Sequence, residues 1–361
     1  MSGIKFDQQQ FVKEAEAFTQ RLGRGLQALA GCGDVQIGAT AKTEIYREDK
    51  VALYRYTPFE DIAAKDRVRV PLVICYALVN RPYMLDLQPD RSLIRGLLSR
   101  GVDVYLIDWG YPDGADRYLT VDDYVNGYLH RCVSAVKRTS ERARVNLLGV
   151  CQGGTLSLCY TTLHGDEVRN LVTMVTPVDF RTPDNLLSKW SEHVDIDAMV
   201  DTLGNIPGSL LNSLFLGMQP FRLGGKKYID LLDHIDNPRV LENFVRMEKW
   251  IFDSPDQPGE MFRQFMRWFI RENRLIEGTL QLEGQPVRLK DIKVPVFNVY
   301  ASQDHLVPPS ASIPLEKHIG SRDYESYAFD GGHIGIYVSG AAQREVPGRI
   351  AQWLKKRDGR P

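Results

Sequence analysis

The chain has 361 residues, 43% of them hydrophobic, enough for an α/β core with a large insertion. Lysine plus arginine number 45 against 46 aspartate plus glutamate, a net charge of −1, so the charge balance gives no reason to expect nucleic acid or an anionic membrane as partner. No apolar run reaches the ~18 residues of a membrane span, and the N-terminus lacks the apolar stretch of a signal peptide. Five cysteines without regular spacing do not suggest a disulfide framework, and they suit a reducing cytoplasm.

In chain order, residues Gln8 to Leu29 show helical spacing of Phe11, Ala15, Phe18 and Leu22, which predicts an amphipathic helix in an N-terminal segment, 1–40. Glu44 to Tyr56 predicts two alternating strands joined by a turn. Val70 to Val79 is almost wholly apolar, as a parallel strand buried on both faces should be. A helix near Ser92–Ser99, a second buried strand from Val102 to Gly110 and a helix from Val121 to Arg138 follow. The strand Arg144–Leu148, a glycine-rich turn, a further helix and the strand Leu171–Pro177 complete the first half. This alternation predicts a mostly parallel sheet with helices on both faces. The core occupies 41–176 and resumes over 286–361. Between them, 177–285 is rich in aromatic residues, several at helical spacing such as Phe262, Phe265 and Phe269, and reads as a helical cap or lid insertion. Strands at Val294–Tyr300 and Asp323–Phe329 and a last helix ending at Trp353-Leu354 close the chain.

The turn Gly149-Val150-Cys151-Gln152-Gly153-Gly154 carries the chemistry. A Gly-x-nucleophile-x-Gly turn between a strand and a helix is the nucleophile elbow of the α/β-hydrolase fold. The usual serine is replaced here by Cys151. In that fold the nucleophile is followed by an acid and then a histidine, each just after a strand, and Cys151, Asp304 and His333 occur in that order. His333 would take the thiol proton, and Asp304 would orient the imidazole. Backbone N–H groups of Gln152 and of the loop at Val79-Asn80 would receive the oxyanion. His305 competes with His333 as base, and Asp108 and Asp179 rank behind Asp304. Cys32, Cys75, Cys132 and Cys159 are expected to be buried apolar residues. His130, His164, His193, His234 and His318 are expected at the surface. No histidine or cysteine pair has zinc spacing, so no metal is expected.

Four stretches, Val79–Leu87, Tyr105–Gly110, Gly149–Gly154 and Gly331–Gly335, resemble the polyhydroxyalkanoate synthases, and the length resembles the catalytic subunit of their two-component class III. The resemblance implies polymerisation of (R)-3-hydroxyacyl-coenzyme A, chiefly 3-hydroxybutyryl, into polyester through a thioester on Cys151. Coenzyme A would be part of the substrate and a product, with no separate cofactor. It also implies a second subunit, a homodimer and a place in the cytoplasm at the granule surface. The alternative is a cysteine thioesterase or esterase of the same fold; a non-catalytic acyl-binding scaffold would have no need of all three residues.

Overall fold

The computed structural model describes residues 35–234 and 236–359, and scattered positions between 9 and 27. Those scattered positions are helical and exposed; Phe11, Ala15, Phe18 and Leu22, on which the N-terminal helix was inferred, lie outside the described residues, as does Cys32. Of residues 222–224 only the backbone is described.

Eight strands form the central sheet: β1 Lys42–Glu48, β2 Val51–Tyr56, β3 Leu72–Cys75, β4 Val104–Asp108, β5 Val145–Val150, β6 Val168–Met174, β7 Val296–Ala301 and β8 Tyr324–Phe329. Their order is β1-β2-β4-β3-β5-β6-β7-β8. The pairs β1–β2 and β2–β4 are antiparallel, and all the others are parallel. Successive side chains of a strand point to opposite faces, yet Leu72, Val73, Ile74 and Cys75 of β3 are all fully buried. Both faces of the sheet are therefore covered. Helix α1 (Leu93–Leu98) precedes α2 (His130–Ser140) and α3 (Gln152–Leu163); Val73 and Cys75 belong to one cluster with Val133 and Val136 of α2 and Leu156 and Cys159 of α3.

The predicted strands are present with shifted ends. β3 stops at Cys75 rather than Val79 because side chains take its backbone groups. The Trp109 indole Nε1–H donates to the Tyr76 carbonyl at 2.8 Å, and the Leu78 N–H donates to Gln152 Oε1 at 3.1 Å. The helix expected over Val121–Arg138 opens as a wider π-helical stretch, Asp123–Leu129, before α2. Two small hairpins, Asp86–Gln88 with Arg91–Ser92 and Gln281–Leu282 with Gln285–Pro286, were not foreseen. The last helix, Gly340–Arg357, packs on Leu93–Leu98. Its Arg357 donates to Asp323 at 3.0 Å and Glu325 at 2.7 Å, which ties it to the start of β8.

The chain divides into two compact units, 38–210 with 253–361 and 1–37 with 211–252. In the first, Phe265 and Phe269 stack at 4.8 Å within the main core. In the second, Leu231 and Leu241 form a small core with Val240 and Phe244, and Arg246 Nε donates to the Gln36 carbonyl at 2.9 Å.

The turn after β5 is possible only with glycines. A Cβ on Gly153 would collide with the Cys75 and Tyr76 carbonyls, and one on Gly154 with the Thr176 side chain. Gly153→Ala should therefore lower stability by about 1–3 kcal/mol, read as a lower Tm. Gly114→Ala, whose Cβ meets open space, should leave Tm unchanged.

Candidate active site

Cys151 stands between the end of β5 and the first turn of α3, with φ 53° and ψ −124°. Left-handed backbone of this kind costs roughly 1–3 kcal/mol in a non-glycine residue. It persists because both peptide groups are held. The Cys151 N–H donates to Met174 at 2.9 Å, and its carbonyl accepts from Gly154 at 2.9 Å. Two more non-glycine residues with positive φ lie on the same sheet edge: Asn80 beyond β3 (60°) and Val175 after β6 (43°). Backbone strain thus gathers at the C-terminal ends of three neighbouring parallel strands.

Asp304 follows β7 in a turn. Its Oδ1 accepts from the N–H groups of Leu306 and Val307, both at 2.9 Å. Its Oδ2 is 2.7 Å from His333 Nδ1. The side chain is fully buried and so is almost all of His333, so the carboxylate's lost hydration is replaced by three donors. That bond assigns the proton to Nδ1 and leaves Nε2 for a partner. His333 also lies in hydrogen-bonding reach of the Cys151 thiol. Burial alone would lower its pKa; the charge of Asp304, then that of Cys151, and hydrogen bonds to both outweigh this and raise it to about 10. The three residues singled out from the sequence are therefore brought together. His305 is half-buried beside Asp304, and Asp304 pairs with His333 instead. Asp179 is used elsewhere, accepting from Asn273 Nδ2 at 2.8 Å, and Asp108 pairs with Arg81 at 2.7 Å.

The loop beyond β3 is fixed from two sides. Gln152, the first residue of α3, grips Leu78 through its side chain, while its own N–H is among those that a helix start leaves without an intrahelical partner. Val79, next in the chain, is half-buried. On the far side, Asn80 Nδ2 donates to Ser254 Oγ at 2.6 Å, and the Tyr83 and Tyr111 hydroxyls donate to the two Asp253 oxygens at 3.0 and 2.6 Å. These braces were not legible in the sequence, since they join segments some 140–175 residues apart.

Two residues next to the thiol were also missed. Tyr76 and Tyr337 are buried. Burial raises the pKa of both phenols, and the charge of Cys151 adds to it. The Tyr337 ring meets His333 edge-on, centroids 6.1 Å apart. The available signal was its place one helical turn beyond His333.

Residues 70–339 match the α/β-hydrolase fold family. Among solved structures, a thermophilic esterase from Thermogutta terrifontis has a TM-score of 0.51 at 12% identity, covering 88% of this chain and 99% of that one; this likeness concerns the fold alone. The PhaC subunit of poly(3-hydroxyalkanoate) polymerase from Allochromatium vinosum is 57% identical over 340 residues, 94% of this chain and 95% of that one. The corresponding subunit from Thiocystis violacea is 54% identical over 99% of this chain and all of that one. The chain belongs to the poly(3-hydroxyalkanoate) polymerases, within the α/β-hydrolase superfamily. This polymerase is thus an acyltransferase.

Away from the strained edge, His130, His164 and Glu167 lie close enough to share an ion. They are half-buried rather than at the surface, where both histidines were expected; His193, His234 and His318 are exposed. The donors of this cluster are already engaged. Glu167 accepts from Lys137 at 2.6 Å and Tyr160 at 2.5 Å, and His164 Nε2 meets Asn126 Oδ1 at 2.8 Å. The group is a closed polar network pinning α2 to α3. Cys75, Cys132 and Cys159 are buried, and burial pushes the Cys75 thiol up to about 12. No helix among the described residues is long and apolar enough to cross a membrane.

The raised His333 pKa implies stability that is fully present below pH ~6.5, the ordinary imidazole value, and is lost as pH rises through about 10. In Asp304→Asn, burial is opposed far less. Its His333 ring should titrate well below the wild-type value in NMR spectra, and the stability gap between the two proteins should narrow over that pH window.

Proposed function

We propose that this polymerase takes (R)-3-hydroxyacyl-coenzyme A, with 3-hydroxybutyryl as the acyl group, and builds polyester through a thioester on Cys151. The observation that carries this reading is the pairing of a strained, helix-opening Cys151 with a His333 held by Asp304. His333, whose raised pKa keeps it protonated beside the sulfur, already holds the Sγ proton, and the thiolate attacks the thioester carbonyl. The tetrahedral oxyanion is received by the N–H groups of Gln152 and Val79. The intermediate then collapses, the carbon–sulfur bond to coenzyme A breaks, and the departing sulfur takes the proton from His333. In elongation the 3-hydroxyl of another acyl unit gives its proton to His333 and attacks the Cys151 thioester. An ester forms and the thiolate is released.

Cysteine suits this cycle because its thioester matches the substrate in energy and reacts readily with an alkoxide. Asp304 orients the imidazole and offsets its charge when protonated. The stretches 177–210 and 253–285, which share a compact unit with the sheet, are assigned the exclusion of water, which would otherwise end a chain by hydrolysis. Coenzyme A enters as part of the substrate, and the chemistry uses neither a separate cofactor nor a metal. A homodimer working with the second subunit of a class III enzyme, in the cytoplasm at the granule surface, completes the proposal.

Cys151→Ala should abolish coenzyme A release from 3-hydroxybutyryl-coenzyme A, measured with a thiol reagent; release at the wild-type rate would overturn the covalent step. With wild type the carbon should be recovered as polymer. Recovery only as free 3-hydroxybutyrate, with or without a second subunit, would assign a thioesterase instead.

A further inference from the structure

Most buried hydroxyls in folded proteins have hydrogen-bond partners, because an unpaired one forfeits its hydration for nothing. Tyr337 is 1% exposed, and its hydroxyl has no partner in the structure. It sits beside the candidate machinery. Its ring stands edge-on to His333, the residue that also pairs with Asp304. The charges that bear on its hydroxyl are those of Tyr76, Cys151 and Asp304. A phenol in such surroundings stays protonated across the working pH range and remains a donor. A phenylalanine would fill the same space and make the same ring contact, so packing does not explain the oxygen.

The acyl group proposed for Cys151 brings two oxygens. The carbonyl oxygen is provided for by the N–H groups of Gln152 and Val79. The oxygen on C3 is left over at this step, because the hydroxyl that attacks the Cys151 thioester belongs to another acyl unit, and its lone pairs need a donor of their own. We infer that the Tyr337 hydroxyl is that donor: a specificity residue that binds the 3-oxygen of the hydroxyacyl substrate as Cys151 is loaded. The inference rests on the proposed acylation of Cys151. It adds a cause for discrimination, since a site with a donor reserved for a substrate oxygen penalises analogues that lack it.

The test uses the full-length Tyr337→Phe variant with its partner subunit supplied alongside. Single-turnover coenzyme A release is compared for (R)-3-hydroxybutyryl-coenzyme A and for butyryl-coenzyme A, which has no oxygen on C3. Release from the hydroxylated substrate should fall about tenfold or more, release from butyryl-coenzyme A should stay within about twofold, and the preference between them should collapse. The variant's Tm should equal or exceed wild type, because an unpaired buried hydroxyl has been removed. A purely structural hydrogen bond would give the opposite sign. Equal loss on both substrates, no loss on either, or a lowered Tm would overturn the assignment. Stoichiometric alkylation by iodoacetamide in the same preparations keeps the two readings apart. If alkylating Cys151 leaves wild-type release intact, the nucleophile assignment fails; if it stops release while Tyr337→Phe retains the substrate preference, only the role of Tyr337 fails.

Discussion

The architecture of this polymerase depends on holding one residue where its backbone does not want to be. Cys151 occupies left-handed space, and no side chain of its own pulls it there. The restraint comes from the Met174 carbonyl on one side and the first turn of α3 on the other. Those groups are within reach only because Gly149, Gly153 and Gly154 let β3, β5, α3 and Thr176 approach closer than any Cβ would allow. The sheet's order puts β3 and β6 on either side of β5, so the turn is gripped by both neighbours. In this sense the parallel core is a vice, and the strained cysteine is what it holds.

Electrostatics at the same edge follow from burial. Asp304 is dry, yet two backbone donors and His333 replace the water it lost. His333 is dry too, and in isolation would give up its proton more easily; the opposing charges beside it reverse that tendency. For the buried thiols Cys75, Cys132 and Cys159 desolvation dominates and pushes the pKa up.

Much of this was legible in the residues. The apolar runs at Val70 and Val102 marked strands buried on both faces, and the glycine pattern about Cys151 marked the turn. Asp304 and His333 could be chosen because each follows a strand in a fold whose edge collects such groups. What could not be read were facts that depend on side chains reaching across the fold. The early end of β3 depends on Trp109 and Gln152 capturing carbonyl and amide groups. The bracing of the Val79 loop depends on Asp253 and Ser254, more than 150 residues further along the chain. The half-buried state of His130 and His164 depends on Lys137, Tyr160 and Asn126 closing a network. Periodicity reports which face of an element is apolar, and it is silent about polar groups that find one another only after the chain has folded.

The ionic tie between Arg357 and the strand that leads to His333 has a bearing on how the protein is made. β8 is an edge strand paired on one side to β7 alone, and Arg357 secures it at Asp323 and Glu325 from the last helix. On a ribosome the thiol-bearing turn emerges early, while the imidazole proposed to activate it gains its seat only when that final helix has docked. On the proposed mechanism a half-synthesised chain thus carries its thiol without its base, and acylation would await the end of translation.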